Sequence, residues 1–202
     1  MRLGTHHTSV RLCPLTPDRC DIISTLFLDG ETASRTLFRG SRLTAPPPRS
    51  LDDVWAGVHE YYAIELQGDG TQIGVVSSYA ADFRSGHVRV MGMTLERWHR
   101  TGLGLIGIGG HVHRLLTREP FRKVYFDVPE YNVPTMRRLA GALFKLEASL
   151  PDSFFLDGRL WDRQLYIVSR EAYARSEVRD FLATVPCGEH EGPGGARATV
   201  LG

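Results

Sequence analysis

Glycines recur in this chain at a spacing that can hold a phosphate group. Residues 102–107 read GLGLIG, a G-x-G-x-x-G pattern. Glycine has no Cβ, so its backbone can approach an anion closely, and the unpaired amides at a helix start attract negative charge. The pattern therefore indicates a dinucleotide site or another phosphate-binding loop. A third interpretation is a helix in which Gly107, Gly109 and Gly110 only permit close packing.

The residues around the glycines disfavour a Rossmann dinucleotide site. That fold needs a hydrophobic strand that runs directly into the first glycine. Here the mostly polar stretch LERWHRT, residues 95–101, precedes it. The chain after Gly107 is also too short for a doubly wound sheet, because we expect its last part to be disordered. The sequence therefore favours a phosphate loop on a different fold.

The elements that position this loop follow from hydrophobic patterning. Alternating residues predict strands at 9–13, 61–67, 71–81, 87–94, 122–128 and 163–170. Capping residues and helical spacing predict helices within 16–31, 50–62, 103–117 and 132–143. Helices come first, then an antiparallel meander, then a β-loop-α-β-α-β unit. This order predicts an α+β fold with a mixed, mostly antiparallel central sheet flanked by helices.

Composition is that of a globular domain, with 42% hydrophobic and 23% charged residues. The net charge of +1 gives no general reason to bind nucleic acid. No apolar run reaches the ~18 residues of a membrane helix, and the N-terminus shows no signal segment, so we expect no membrane partner and a cytoplasmic location. Three cysteines without C-x-x-C spacing predict reduced thiols, and we expect no metal. Residues 1–176 are predicted to form one domain, followed by a disordered, glycine-rich tail at 177–202.

A longer run, HVRVMGMTLERWHRTGLGLIGIGGHVHRLLTREPFRKVYFDVPEYNVPT, resembles the core of the GCN5-related N-acetyltransferase superfamily. The family pattern after the fourth strand is Arg or Gln, two residues, Gly, one residue, and Gly or Ala. The counterpart here is HRTGLG, residues 99–104. A helix, a strand at RKVYFDV and Asn132 follow in the family's order. The flanks are similar to the ribosomal-protein alanine acetyltransferase branch, so the resemblance covers roughly residues 9–173.

The resemblance implies a sheet that splits between its fourth and fifth strands, with an acyl-CoA in the split. Met93 and Thr94 would pair their backbone with the pantetheine arm, and Asn132 would hydrogen-bond it from the other side. The pyrophosphate would lie against the backbone of His99, Arg100, Thr101, Gly102, Leu103, Gly104 and Leu105. Acetyl-CoA is the donor expected by default.

In this family an acceptor amine attacks the thioester directly. A lysine-type amine with a pKa of about 10.4 is mostly protonated at neutral pH, so a base or a water chain normally assists. The tyrosine that many members use as general acid is replaced by Leu139, and Thr135 occupies the position of a serine used in the similar branch. The Thr135 hydroxyl is a candidate acid, although threonines near a helix start often only bond locally.

The general base is not assigned by the resemblance. The strand position that carries a glutamate base in some members is Val88. Its neighbour His87 titrates in the useful range and is the leading candidate. Glu130 and Glu147 are weaker alternatives, because carboxylates near turns are usually only solvated.

The sequence therefore predicts a CoA-dependent N-acyltransferase that acts on a primary amine of a small molecule, a peptide or a protein N-terminus. The missing tyrosine and glutamate leave open a non-catalytic acyl-CoA-binding or regulatory domain on the same fold. Acceptor-binding loops would be FRGSRLTAPPPRSLDD, residues 38–53, and LPDSFFLDGRLWD, residues 150–162. Neither carries a pronounced acidic cluster. The sequence does not determine the oligomeric state; if the chain forms an oligomer, a homodimer is the first state to test, since dimers are the commonest.

Overall fold

A computed structural model describes residues 9–16, 21–28, 57–133, 143–156 and 158–188. Its strands are β1 (Val10–Pro14), β2 (Val58–Leu66), β3 (Gln72–Asp82), β4 (His87–Thr94), β5 (Lys123–Pro129), β6 (Lys145–Leu156) and β7 (Arg159–Ser169). Its helices are α1 (Asp21–Leu28), α2 (Leu103–Arg118), α3 (Arg170–Ala174) and α4 (Val178–Ala183). The described strands form one sheet in the order β1-β2-β3-β4-β5-β7-β6. Neighbours are antiparallel except β4 and β5, which confirms the predicted α+β class.

Helix α2 lies close to the sheet because its glycines remove side chains at the points of contact. A Cβ at Gly107 would lie 2.6 Å from an Ile64 side-chain atom of β2, a distance that real Cβ atoms do not show. Gly109 and Gly110 meet the segment that follows α3 in the same way. Close packing therefore accounts for these three glycines.

The sheet has a core on each face. On one face α2 packs across the sheet from β1 to β5, and this core includes Val88 and Val90. On the other face α1 packs against β2, β3 and β4, and this core includes Met93. Side chains alternate between the two faces of a strand. His87 and Arg89 therefore point to the α1 face of β4, like Met93.

Two predicted elements differ from the structure. Residues 58–62 belong to β2 and not to a helix, because Tyr61 and Tyr62 are buried in opposite cores and a strand buried on both faces lacks clear alternation; residues 50–56 lie outside the described range. The strand β6 was not predicted. It is an edge strand, and its exposed leucines hide the usual pattern. Residues 150–162, expected to be an acceptor loop, belong mainly to β6 and β7, with a turn at Gly158.

The start of the predicted disordered tail is ordered. Residues 178–183 form α4, and Leu182 and Val185 are buried. A Cβ at Gly109 or Gly110 would meet these two side chains, so the segment fills the space that the α2 glycines leave. The two buried apolar side chains therefore hold this segment against α2, although the composition of the segment is polar on average. Residues 189–202 lie outside the described range, as do residues 134–142 of the predicted helix at 132–143.

The longest helix described is α2, and none of the described helices combines the length and apolar character needed to cross a bilayer.

Candidate functional site

The strands β4 and β5 pair only at one end and then separate. Their parallel register runs from His87 opposite Lys123 to Arg89 opposite Tyr125. Beyond this point β4 continues beside β3, and β5 continues beside β7. Within the described residues, the two inner strand edges then face each other with no strand between them. Strand edges carry backbone donors and acceptors that seek hydrogen-bond partners, so an extended ligand is the kind of group that such a gap suits.

A loop at residues 95–102, which contains a 3-10 helix at Glu96–Trp98, joins the open end of β4 to the start of α2. Arg100 and Gly102 both adopt positive φ angles, of 66° and 81°. A Cβ at Gly102 would meet no atom within 4 Å, so this glycine is required by its backbone angle and not by packing. The left-handed region is accessible to glycine at little cost. Gly102 therefore leaves an open, side-chain-free approach to the N-terminus of α2.

Several backbone amides of this loop already donate hydrogen bonds within the protein. The Leu103 amide donates to Thr101 Oγ1 at 3.2 Å, and the Leu105 amide donates to the Gly102 carbonyl at 3.1 Å. The Thr101 amide donates to the Trp98 carbonyl, and the His99 amide donates to the Glu96 carbonyl at 2.9 Å. The predicted cradle from His99 to Leu105 therefore narrows, among the described backbone bonds, to three amides, those of Arg100, Gly102 and Gly104.

The loop is fastened to the end of β4. His99 Nε2 donates to the Thr94 carbonyl oxygen at 3.0 Å, so this histidine acts through its side chain as well as its backbone. Gly104 is buried, and a Cβ there would overlap the methyl group of Thr94. Gly104 thus sets how closely α2 approaches β4, whereas Gly102 leaves the approach to the loop open.

We expect Gly104→Ala to destabilise the protein by about 1–3 kcal/mol, because overpacking against Thr94 outweighs the better helix propensity of alanine. Thr94→Ser removes the methyl group in the way and should recover most of the loss in the double variant. Urea denaturation of the four proteins tests this coupling. Additive effects of the two substitutions would contradict the contact.

An ion pair spans the point where β4 and β5 separate. Arg89 Nη1 donates to Asp127 Oδ2, and the Asp127 side chain is only 7% exposed. Tyr79 is the β3 partner of Arg89 and adjoins the same two side chains. Burial, followed by the charge of Asp127, raises the pKa of Tyr79 above its usual range. This cluster of Tyr79, Arg89 and Asp127 lies on the α1 face.

Of the two predicted catalytic residues, the structure describes His87 but not Thr135. His87 lies on β4 two residues before Arg89, in the paired part of the two strands. Its Nε2 is 3.6 Å from Asp82 Oδ2, and its ring contacts Tyr125 edge-on at 5.6 Å. Thr135 lies outside the described residues. Asn132 ends a short 3-10 helix, Glu130–Asn132, directly after β5.

The other positions considered for the general base are buried in the core, paired with neighbouring side chains or exposed to solvent. Val88 is fully buried in the core beneath α2, so a carboxylate is not expected there. Glu147 bonds Lys123 Nζ and accepts from the Tyr125 hydroxyl, and the lysine bond chiefly lowers the pKa of this carboxyl. Glu130 is exposed. Sequence reasoning missed Asp127 as a partner of Arg89, because nothing local links positions on two strands.

These features define an α+β protein with a split sheet beside a glycine-containing loop at the start of a helix. No protein family matches the sequence, and no curated protein is similar to it. Solved structures do match the fold. The spermidine/spermine N-acetyltransferase SpeG from Vibrio cholerae with manganese ions has a TM-score of 0.68 at 17% identity, over 85% of this chain and 99% of that chain. Spermidine N-acetyltransferase from Vibrio cholerae with CoA and spermine has a TM-score of 0.63 at 16% identity, over 83% and 99%. The chain therefore has the GCN5-related N-acetyltransferase fold.

Proposed function

We propose that this chain is an N-acyltransferase that uses acetyl-CoA, or another acyl-CoA, to acylate a primary amine. The observation that carries the proposal is the separation of β4 from β5 next to the open glycine loop of α2. A pantetheine arm is an extended amide chain, so it can bond the strand edges that face each other in the split. A pyrophosphate suits the amides at a helix start. One solved structure with this fold contains CoA, which supports the assignment.

The donor residues follow from this arrangement. Met93 and Thr94 offer the β4 edge of the split, and Asn132 lies where β5 ends. The amides of Arg100, Gly102 and Gly104 bind the pyrophosphate. His99, Thr101, Leu103 and Leu105 shape the loop through their own hydrogen bonds or helical position.

In the reaction the neutral amine attacks the thioester carbonyl, the C–N bond forms, and the C–S bond breaks. The amine loses one proton, and the departing thiolate gains one. Asp127 lies at the apex of the split, where its carboxylate can receive and orient an acceptor ammonium group. His87 is the candidate base for the amine proton, and Thr135 is the candidate hydroxyl that protonates the thiolate.

The acceptor is a small-molecule amine in this proposal. The solved structures with the same fold are named for spermidine and spermine, which are amines of this kind. Among the ion pairs of the described residues, the one at the point where β4 and β5 separate contains the buried carboxylate of Asp127. Similarity to the ribosomal-protein alanine acetyltransferase branch makes a peptide N-terminus the second acceptor class to test. We place the enzyme in the cytoplasm, as a possible homodimer.

The proposal is tested by thermal-shift titration with acetyl-CoA, longer acyl-CoAs, free CoA and NAD, followed by turnover assays on a panel of amines. Ligand at ~100 times its Kd should stabilise the fold by about 2.7 kcal/mol. A shift with CoA species together with turnover supports the enzyme. Firm CoA binding without turnover on any amine would favour the acyl-CoA-binding domain. A shift with NAD alone would contradict both assignments.

Gly102→Val should weaken acetyl-CoA binding at least about tenfold, because the valine side chain then occupies the approach to the α2 amides. A tenfold loss of affinity corresponds to roughly 1.4 kcal/mol of binding free energy. Gly158→Val is the matched control. Gly158 also has a positive φ, of 79°, with nothing within 4 Å of its Cβ position, but it lies in the β6–β7 turn. Both variants should lose similar stability to backbone strain. Equal acetyl-CoA affinity in calorimetry would exclude the loop as the pyrophosphate site.

A further inference from the structure

Three side chains that can bind a metal converge at the end of the sheet where β2 begins and α2 ends. They are His59 and Glu60 of β2 and Glu119, the residue after α2. One ligand atom from each lies within 4.8 Å of the other two. Glu119 lies 59 residues or more along the chain from the other two residues, so no local sequence pattern predicts that the three come together.

The buried carboxylate of Glu60 indicates that a ligand binds at this group. Its side chain is only 7% exposed, and Oε1 accepts from Arg114 Nη2. Oε2 is buried and has no hydrogen-bond partner among the described residues. A buried carboxylate oxygen is normally satisfied, because leaving it without a partner costs free energy. Burial, with a smaller contribution from Glu119, raises the pKa of Glu60.

Neighbouring groups fix the ring of His59, one carboxylate oxygen of Glu60 and the backbone of Glu119. The His59 ring contacts Phe83 and Phe121 edge-on, at 5.4 and 5.7 Å. Arg114 fixes one oxygen of Glu60. The main-chain carbonyl of Glu119 accepts from Arg170. Supporting contacts that orient ligands are characteristic of protein metal sites.

We propose that His59, Glu60 and Glu119 form a binding site for a divalent transition-metal ion. One imidazole and two carboxylates suit Zn²⁺ and its first-row neighbours, with water in the remaining positions. The ion would also neutralise the repulsion between the two glutamates. It would join the start of β2 to the end of α2. The site does not depend on the proposed acyltransferase activity.

The test is calorimetric titration of the full chain with Zn²⁺ after treatment with a chelator. The ion should bind and raise the melting temperature. His59→Gln and Glu119→Gln should each weaken binding at least about tenfold, in line with the sensitivity of metal sites to their ligands. Glu177→Gln is the matched control, because Glu177 is exposed at the start of α4 and makes no side-chain cap bond. It should bind Zn²⁺ like the unmodified chain.

Spectroscopy on the unmodified chain keeps the test independent of variant folding. Co²⁺ bound by imidazole and carboxylates gives ligand-field bands without the charge-transfer band of a thiolate. A thiolate band would assign binding to cysteine and overturn the proposal. Absence of Zn²⁺ binding, or equal affinity in the unmodified chain and both ligand variants, would overturn it as well.

Discussion

Replacing Asp127 with asparagine should lower kcat for amine acetylation by about a hundredfold or more, within the range that a positioned charged or acid–base group contributes. Asp127 and Arg89 join β4 and β5 where the split opens, on the face that carries α1. In the proposed complex, an amine that enters from this face meets the carboxylate before it reaches the thioester. The proposed acyl-donor site lies along the strand edges and the loop, so donor affinity should not change. Steady-state kinetics with calorimetry of acetyl-CoA binding separates these two effects.

Asp180→Asn is the matched control for this prediction, because Asp180 is exposed in the first turn of α4. It should keep the full kcat. His87→Gln tests the candidate base, and the pH profile of kcat for this variant should lose the limb that reports the base. If Asp127→Asn retains full turnover while His87→Gln does not, the acceptor amine is activated beside His87, and Asp127 serves only to hold the strands together.

Arg114→Met should destabilise the fold by about 3–5 kcal/mol at neutral pH, the range for removing one partner of a buried ion pair. Arg114 donates to Glu60 and, at 2.9 Å, to the hydroxyl of the fully buried Tyr62. The substitution leaves the Glu60 carboxylate buried without its cation. Glu60→Gln in the same chain removes that charge, so the double variant should recover a large part of the loss. Urea denaturation of the single and double variants measures the coupling.

The pH dependence of the Arg114→Met effect has a definite sign. Burial raises the pKa of Glu60 above its ordinary value of 4.5, so the native state holds this proton when the unfolded state has released it. Stability therefore falls as pH rises from the unfolded pKa through the native one. Arg114 opposes that fall, and its loss raises the native pKa further. The deficit of the variant should be smallest below pH 4.5 and grow towards neutrality. A deficit that does not change with pH would show that lost packing, not charge, causes the effect.

The sequence by itself determined the local parts of this protein. Residues 87–94 were predicted as a strand and form β4 over that range, and the helix predicted at 103–117 is α2. These elements alternate or repeat with a clear period, so each residue's surroundings follow from its near neighbours. The order of elements was enough to predict the α+β class, whereas the split sheet was expected only from the family resemblance. The role of Gly102 could also be anticipated, because its backbone angle is a local property.

Only the tertiary structure decided which distant residues meet. Asp127 reaches Arg89 because a parallel pair of strands ends at one particular register, and local pattern does not encode register. The same holds for His59 and Glu119, which join through the packing of α2 on the sheet. The polar segment after residue 176 was expected to be disordered because average composition hides two anchors, Leu182 and Val185. Those anchors become evident only where the α2 glycines leave space for them, since packing depends on shapes from several elements at once.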